Sequence, residues 1–206
     1  MAKQKFYAVK RGRSTGVFRT WEECRRQVQG YSSAAYKSFG TEEEAKAYLA
    51  GTEGQRRQEQ ADALPAESKA EVYVDGSYCA ETEEFSYGMV VLHDGAEYRF
   101  SEKMADAELA MMRNVAGEIK GAEAAMRYAI EHKLAYIVIY HDYEGIAKWC
   151  TGEWKANKPG TQAYQAYYQA AKEKVDIAFQ KVRGHSNDKY NDLADELAKQ
   201  ALGIAF

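Results

Sequence analysis

Several features are scarce or missing in this sequence of 206 residues. Its three cysteines, Cys24, Cys79 and Cys150, lie far apart without a C-x-x-C pair, which argues against a disulfide framework and a thiolate zinc site. No apolar run approaches the roughly 20 residues that cross a bilayer. The start, MAKQKFYAVKRGR, lacks the apolar stretch of a secretory signal. We therefore expect a cytoplasmic protein with reduced cysteines and no membrane partner.

The residues that are present indicate a globular protein with an uneven charge distribution. Hydrophobic residues make up 46% of the chain, enough for buried cores and too much for a disordered protein. Residues 1–51 carry ten Lys or Arg and five Asp or Glu, whereas residues 70–206 carry fifteen and twenty-two. A basic head joined to an acidic body fits a nucleic-acid-binding module attached to a part that concentrates carboxylates, such as a metal-dependent enzyme, although two solvated surfaces could differ in this way by chance.

The low proline content singles out the segment between these two parts. Residues 52–69, TEGQRRQEQADALPAESK, contain one of only two prolines and no aromatic or β-branched apolar residue, so we predict a linker there. In the head, residues 1–51, a hairpin precedes the capping box Thr20 to Glu23, and a further strand precedes the capping box Thr41 to Glu44. This pattern predicts a small ββαβα domain.

The body, residues 70–206, has the pattern of an α/β protein. Three strands separated by turn residues are followed by AYIVIYHD, whose continuous apolar run after a helix predicts parallel pairing with an earlier strand. We predict the order βββαβαβα, in which one mixed sheet has helices packed on it. The longer predicted helices are Asn114 to His132, Gln162 to Lys174 and Asp188 to Leu202.

Two aspartates end predicted strands of this sheet. Asp75 follows the apolar strand residues and precedes a predicted Gly76-Ser77 turn, and Asp142 ends IVIYHD. Ligands gather beyond the carboxyl ends of parallel strands, and hard cations prefer carboxylate oxygens, so the pair predicts a cation site. Two simpler alternatives stay open, since Asp75 could cap the turn and Asp142 could be the N-cap of the next helix.

Acidic residues on two predicted helices could complete such a site. In the terminal helix Asp195 falls on the edge of the apolar stripe, whereas Asp192 and Glu196 fall on the opposite, solvated side. In the helix from Asn114, Glu118 and Glu123 flank the stripe about equally. Helical periodicity does not choose between these two glutamates.

The acidic motifs, taken in order, resemble cellular ribonuclease H of the type-one class. They are Asp75 in VDGS, Glu118 in RNVAGEI, Asp142 in YHDYEGI, and His185 with Asp195 in RGHSNDKYNDLADELA. The head is similar to the hybrid-binding domain of such enzymes. The resemblance implies a ribonuclease H-like mixed five-stranded sheet flanked by helices. It also implies an endonuclease that cleaves the RNA strand of RNA–DNA hybrids and leaves 5′-phosphate and 3′-hydroxyl ends.

The resemblance also implies a role for each residue of the catalytic site. Asp75 would bridge two Mg²⁺ ions, and Glu118, Asp142 and Asp195 would complete the set of ligands; Mn²⁺ is a possible substitute. His185 matches a loop histidine that assists proton transfer or product release, although a lone loop histidine is often only a surface residue. Asn114 matches a residue that contacts 2′-hydroxyls. Alternatively, Asn114 is the N-cap of the helix that it opens, and both roles are compatible.

Further matches suggest contacts with the substrate outside the four acids. Asn191 resembles another position near the site, but an asparagine on a helix face is usually solvated. In the head the match assigns nucleic-acid contacts to Tyr7, Trp21, Tyr36 and Lys37, with double-stranded RNA as a second possible partner. Trp21 could instead pack in the small core.

The chain departs from the resemblance at two places. Ser38 stands where relatives often have a second lysine, which predicts weaker phosphate binding or a weaker salt dependence. The segment TGEWKANKPGTQ is shorter and less basic than the substrate-gripping protrusion of some members. We expect the tethered head to supply that grip.

Two other functions compete with the hybrid-specific endonuclease. One is a non-catalytic protein on the same scaffold that binds hybrids or double-stranded RNA, although the presence of all four acids speaks against it. The other is a DNA nuclease or recombinase with the same sheet topology. The resemblance of Asn114 to a residue that contacts 2′-hydroxyls, and of the head to a hybrid-binding domain, favours RNA instead. The sequence leaves the oligomeric state and the choice between Mg²⁺ and Mn²⁺ open.

Overall fold

The computed structural model describes residues 5–50, 60–184 and 188–204. The chain divides into two compact units, Met1–Ala63 and Leu64–Phe206, and this boundary falls within the predicted linker. A three-stranded sheet belongs to the first unit and a five-stranded sheet to the second. Among the described helices, none is long and apolar enough to cross a membrane.

The first unit has the predicted ββαβα order. Both predicted capping boxes form: the Thr20 hydroxyl accepts a hydrogen bond from the Glu23 amide, and Thr41 and Glu44 pair in the same way. The central strand is antiparallel to both neighbours. The elements are β1 (Phe6–Arg11), β2 (Gly16–Phe18), α1 (Trp21–Val28), β3 (Ala35–Phe39) and α2 (Glu42–Ala50).

The second unit contains the predicted mixed five-stranded sheet. The strands are β4 (Lys69–Cys79), β5 (Glu84–His93), β6 (Ala96–Met104), β7 (Tyr136–His141) and β8 (Asp176–Lys181). Their spatial order is β6-β5-β4-β7-β8, which makes β4 the central strand. The first three strands form antiparallel hairpins, and β7 pairs in parallel with both β4 and β8. The α/β fold class and the parallel pairing are therefore confirmed.

Helices cover both faces of this sheet. They are α3 (Ala107–Ala110), α4 (Asn114–Glu131), α5 (Gly145–Thr151), α6 (Pro159–Ala171) and α7 (Lys189–Ala201). The larger core lies between α4 and the sheet and includes Val72, Val74, Ile119 and Met126, all buried. The opposite face carries α7 over a smaller core around Tyr73. A 3₁₀ turn, Ala66–Ser68, leads into β4.

Two local predictions were wrong, and one short helix was missed. Gly76 and Ser77 form no turn, because β4 continues to Cys79 in pairing with β5. Helix α6 begins at Pro159 and not at Gln162, since proline is well tolerated at the first helical position. Helix α3 was not predicted, because its four residues are too short to show a helical period.

Candidate active site

Helix α4 approaches the central strand through two glycines. A Cβ atom on Gly76 would lie 2.3 Å from the Asn114 carbonyl oxygen and 2.4 Å from the Glu118 nitrogen. A Cβ atom on Gly117 would lie 2.0 Å from the Ser86 carbonyl oxygen. Only glycine therefore permits this backbone contact. The contact places Glu118 beside Asp75, which directly precedes Gly76.

Helix α7 crosses the other face of the sheet in a similar way. Gly88 pairs with Asp75 across β4 and β5, and a Cβ atom there would lie 1.9 Å from the Ala194 carbonyl oxygen. The crossing places Asp195 near Asp75, and the charge of Asp195 contributes to a raised pKa of Asp75. Asp195 also forms an ion pair with Lys199, whose Nζ lies 2.6 Å from its Oδ2.

Three carboxylates meet at one edge of the sheet. Asp75 lies two residues beyond the last pair of β4 and β7, and Asp142 directly follows β7. One carboxylate oxygen each from Asp75, Glu118 and Asp142 lies within 4.8 Å of the others. We call these three residues the carboxylate group. Glu123 lies elsewhere on α4 and pairs with Lys120 at 2.8 Å, so the structure distinguishes the two glutamates that periodicity could not.

The carboxylate group is electrostatically unfavourable without a cation. Burial and the negative charges of Asp142 and Asp75 raise the pKa of Glu118, which is 2% exposed, to about 9. Burial and the charge of Asp142 raise the pKa of Asp75 to about 7, although the Gly76 amide donates to its Oδ1 at 2.7 Å. Oε2 of Glu118 has no hydrogen-bond partner in the described part of the chain. These properties fit a site that binds a divalent cation.

The other predicted residues of this site lie in different surroundings. Asn114 is the exposed first residue of α4, and the N-cap is Arg113, so the capping alternative for Asn114 was wrong. The N-cap of α5 is Glu144 rather than Asp142. Asn191 is buried on α7, one turn before Asp195, and its Oδ1 has no partner among the described residues. His185 lies outside the described residues.

Sequence reasoning missed the residues that hold the carboxylate group in place. A glycine inside a helix costs about 1 kcal/mol relative to alanine, so Gly117 was a signal of close backbone approach beside Glu118. The Tyr143 amide, which lowers the pKa of Glu118, gave no such signal. A backbone donor carries no residue preference that a sequence could display.

Three aromatic side chains of the head form a second candidate surface. The ring of Trp21 lies 5.7 Å from that of Tyr7 and 5.8 Å from that of Tyr36, between ring centroids. We call these residues the aromatic row. Trp21 is 39% exposed and Tyr36 is 44% exposed, so neither ring is enclosed in the core. Accessible rings in a row, tilted by 48° and 39° to their neighbours, can bind sugars or bases.

Lys37, the fourth predicted contact of the head, lies on the other face of the small sheet. Residues opposite each other in an antiparallel pair share a face. Tyr36 pairs with Val9 and Ser38 with Tyr7, whereas Lys37 pairs with Ala8. Lys37 Nζ lies 5.5 Å from the centre of the Phe39 ring. Ser38, not Lys37, therefore shares the face of the aromatic row.

Comparison with known proteins covers both units. A family model described as the ribonuclease H1 N-terminal domain matches residues 5–49, and one described as RNase H matches residues 67–203. Human ribonuclease H1 is 28% identical over 253 aligned residues, which cover 95% of this chain and 88% of the human protein. A ribonuclease H from Saccharomyces cerevisiae is 54% identical over 50 residues, which are 24% of this chain and 14% of that protein.

Solved structures share the fold of the second unit. The crystal structure of RNase H1 from the halophilic archaeon Halobacterium salinarum superposes with a TM-score of 0.56 at 22% sequence identity. The alignment covers 66% of this chain and 99% of the archaeal chain. At this identity the similarity shows a common fold.

Proposed function

We propose that this chain, which belongs to the ribonuclease H family, cleaves the RNA strand of RNA–DNA hybrids with two Mg²⁺ ions and leaves 5′-phosphate and 3′-hydroxyl ends. As a member of that family it is a hydrolase of the ribonuclease H class. The convergence of Asp75, Glu118 and Asp142 within 4.8 Å is the observation that carries the metal-dependent mechanism.

The donor set fits Mg²⁺. All three groups offer carboxylate oxygen, the ligand type that hard cations prefer, and Glu118 Oε2 is buried without a partner among the described residues. When bound, the ions would activate a water molecule and stabilise the charge on the leaving oxygen. By resemblance, Asp75 would bind both ions, and Glu118 and Asp142 would complete the set of ligands. Mn²⁺, which also accepts carboxylate oxygen, is a possible substitute.

The remaining residues of the site would bind and orient the substrate. Asp195 would join the ligands, and Lys199 holds its carboxylate in place at 2.6 Å. Asn114 is exposed one helical turn before Glu118, so its side chain can contact a 2′-hydroxyl of the RNA strand. Asn191 offers an unpartnered oxygen within the described structure. His185 would assist proton transfer or product release.

The head would bind the same substrate at a distance from the cut. The aromatic row would contact deoxyribose, and cations such as Lys37 would contact phosphate. Tethering by residues 52–69 would hold the hybrid near the second unit at an effective concentration in the mM range for a short linker. Double-stranded RNA is a second possible ligand of the head.

Cleavage of end-labelled substrates tests this function. We would compare RNA–DNA hybrid, double-stranded RNA and double-stranded DNA in Mg²⁺, using the unchanged chain and Asp75→Asn. We expect cleavage of the hybrid's RNA strand alone, no cleavage by Asp75→Asn, and 5′-phosphate ends by mass spectrometry. Asp94→Asn is the matched control, because Asp94 lies in a tight turn at positive φ that asparagine also adopts.

The same experiment separates the alternatives. Hybrid binding without cleavage would contradict the enzyme and indicate a binding protein. Cleavage of double-stranded DNA would indicate a DNA nuclease. Full activity of Asp75→Asn would remove the carboxylate group from the mechanism.

A further inference from the structure

His141 is a buried histidine next to the carboxylate group. It is the last residue of β7 and is 1% exposed. Its Nδ1 lies 2.9 Å from the carbonyl oxygen of Tyr143. Because a carbonyl oxygen can only accept, Nδ1 carries the hydrogen and donates it. The side chain thereby closes a short loop of backbone that contains Asp142.

The peptide carbonyl of Tyr143 anchors this loop at the start of α5. It accepts a second hydrogen bond, from the Ile146 amide at 3.2 Å. His141 therefore fixes the segment that carries Asp142 and leads into α5. Asp142, one of the three members of the carboxylate group, depends on the position of this segment.

The packing of His141 does not require a nitrogen-containing ring. The ring meets Phe179 edge to face at 6.0 Å between centroids, a contact that an apolar side chain could replace. Nε2 is buried without a hydrogen-bond partner among the described residues. An unpartnered buried polar atom destabilises a fold. The hydrogen bond from Nδ1 to Tyr143 is therefore the feature of this side chain that an apolar substitute would lack.

We propose that His141 is a positioning residue that holds the Asp142–Tyr143 segment in the geometry needed to bind Mg²⁺. This inference rests on the proposed function, because the group it positions is the proposed metal site. Residues that orient metal ligands typically change metal affinity or activity by 10 to 100-fold when they are substituted. His141 acts through Asp142 and Tyr143 and has no contact with substrate in this role.

Two substitutions separate the hydrogen bond from the volume of the ring. His141→Asn places an amide nitrogen near the position of Nδ1 and can donate to the Tyr143 carbonyl, whereas His141→Leu fills similar space without a donor. His132→Leu is the matched control. Nδ1 of His132 makes the same kind of bond, 2.9 Å from the Tyr128 carbonyl oxygen, at the far end of α4.

The primary measurement is calorimetric titration of each full-length variant with MgCl₂ in the absence of nucleic acid. Steady-state cleavage of a hybrid and the thermal midpoint Tm are measured alongside. We expect His141→Leu to bind Mg²⁺ roughly 10 to 100-fold more weakly and to show a kcat that is lower by a similar factor. KM for the hybrid should change little. We expect His141→Asn and His132→Leu to stay close to the unchanged chain in both properties.

Each other outcome overturns a distinct statement. Normal Mg²⁺ binding by His141→Leu, or equal losses in the Leu and Asn variants, would overturn the positioning role. A lower Tm in His141→Leu with unchanged Mg²⁺ affinity and kcat would show a structural role only. If the unchanged chain fails to cleave hybrid, the proposed function fails, while the Mg²⁺ titrations still decide the role of His141. If His141→Leu does not fold, His141→Phe, which keeps a ring on Phe179, replaces it.

Discussion

The carboxylate group and the aromatic row are assembled in similar ways but differ in burial and in charge. Each gathers three side chains from different elements of its own unit. The carboxylate group brings negative charges together in a largely buried place, which raises the pKa of Glu118 and of Asp75. The aromatic row leaves Trp21 and Tyr36 partly exposed and uncharged. Substitutions in the carboxylate group should therefore lower activity while they raise stability. Substitutions in the aromatic row should affect stability less than binding.

The largest effect is expected from Glu118→Gln. Loss of a metal ligand should reduce cleavage by at least about 100-fold, because charge stabilisation by a bound metal is worth several kcal/mol. In metal-free protein the same change should increase stability at alkaline pH. The pKa of Glu118 is raised from 4.5 to about 9, so the folded state binds this proton more tightly than the unfolded state. The contribution of Glu118 to the free energy of unfolding is most favourable below pH 4.5 and is lost as the pH rises towards 9.

Denaturant unfolding in EDTA at pH 5 and pH 8.5 measures this effect. Each pKa unit corresponds to about 1.4 kcal/mol. The free energy of unfolding of Glu118→Gln, relative to that of the unchanged chain, should therefore be at least about 1 kcal/mol higher at pH 8.5 than at pH 5. Glu123→Gln on the same helix is the control and should show no such gain. Equal differences at both pH values would contradict the electrostatic account of the carboxylate group. Mg²⁺ should stabilise the unchanged chain more than Glu118→Gln.

Trp21→Ala should have an intermediate effect, mainly on binding. If contact between deoxyribose and the ring contributes as much as the stacking of a base, about 1–3 kcal/mol, Kd for a hybrid should rise roughly 5 to 150-fold, with kcat unchanged at saturation. The free energy of unfolding should fall by less than for a fully buried tryptophan, because the ring is 39% exposed. Fluorescence anisotropy in EDTA measures Kd without cleavage.

Tyr31→Ala is the matched control for the aromatic row. Tyr31 is 44% exposed in the same unit but makes no ring contact with the row among the described residues. Its loss should leave Kd unchanged. Similar losses for Tyr31→Ala and Trp21→Ala would show that the row has no special role in binding.

The strands and most helices could be predicted because their apolar patterns reflect burial in the final fold. Asp75 and Asp142 could be predicted as neighbours because parallel strands bring their carboxyl ends to one edge. Glu118 could be chosen over Glu123 only by resemblance, since both flank the apolar stripe. In the structure the choice depends on the backbone contact between Gly76 and α4, which is a tertiary event.

Two features show where motif and local pattern were insufficient. Lys37 was predicted beside Tyr36 as a nucleic-acid contact by resemblance, which stays a prediction, and the structure places the two residues on opposite faces of the strand. The alternation was visible in the sequence and would have separated them. The bond from His141 to the Tyr143 carbonyl had no comparable signal, because a histidine at the end of an apolar strand has many possible partners.

The smallest predicted effect concerns charge on the face of the aromatic row. Ser38 is exposed, lies opposite Tyr7 and shares that face, whereas Lys37 does not. Ser38→Lys should add about one phosphate contact, which would steepen the fall of log K with log salt by roughly 0.7 to 0.9. Anisotropy titrations in EDTA over a series of NaCl concentrations measure this slope, and kcat should not change.

Ser38→Gln controls for the length of the new side chain without its charge and should leave the slope unaltered. Equal slopes for the Lys and Gln variants would contradict a phosphate position beside Ser38. A steeper slope for Ser38→Lys alone would place phosphate on the face of the aromatic row. Lys37 would then have to reach the same backbone around the open edge of β3, since its own face of the sheet points away from the row.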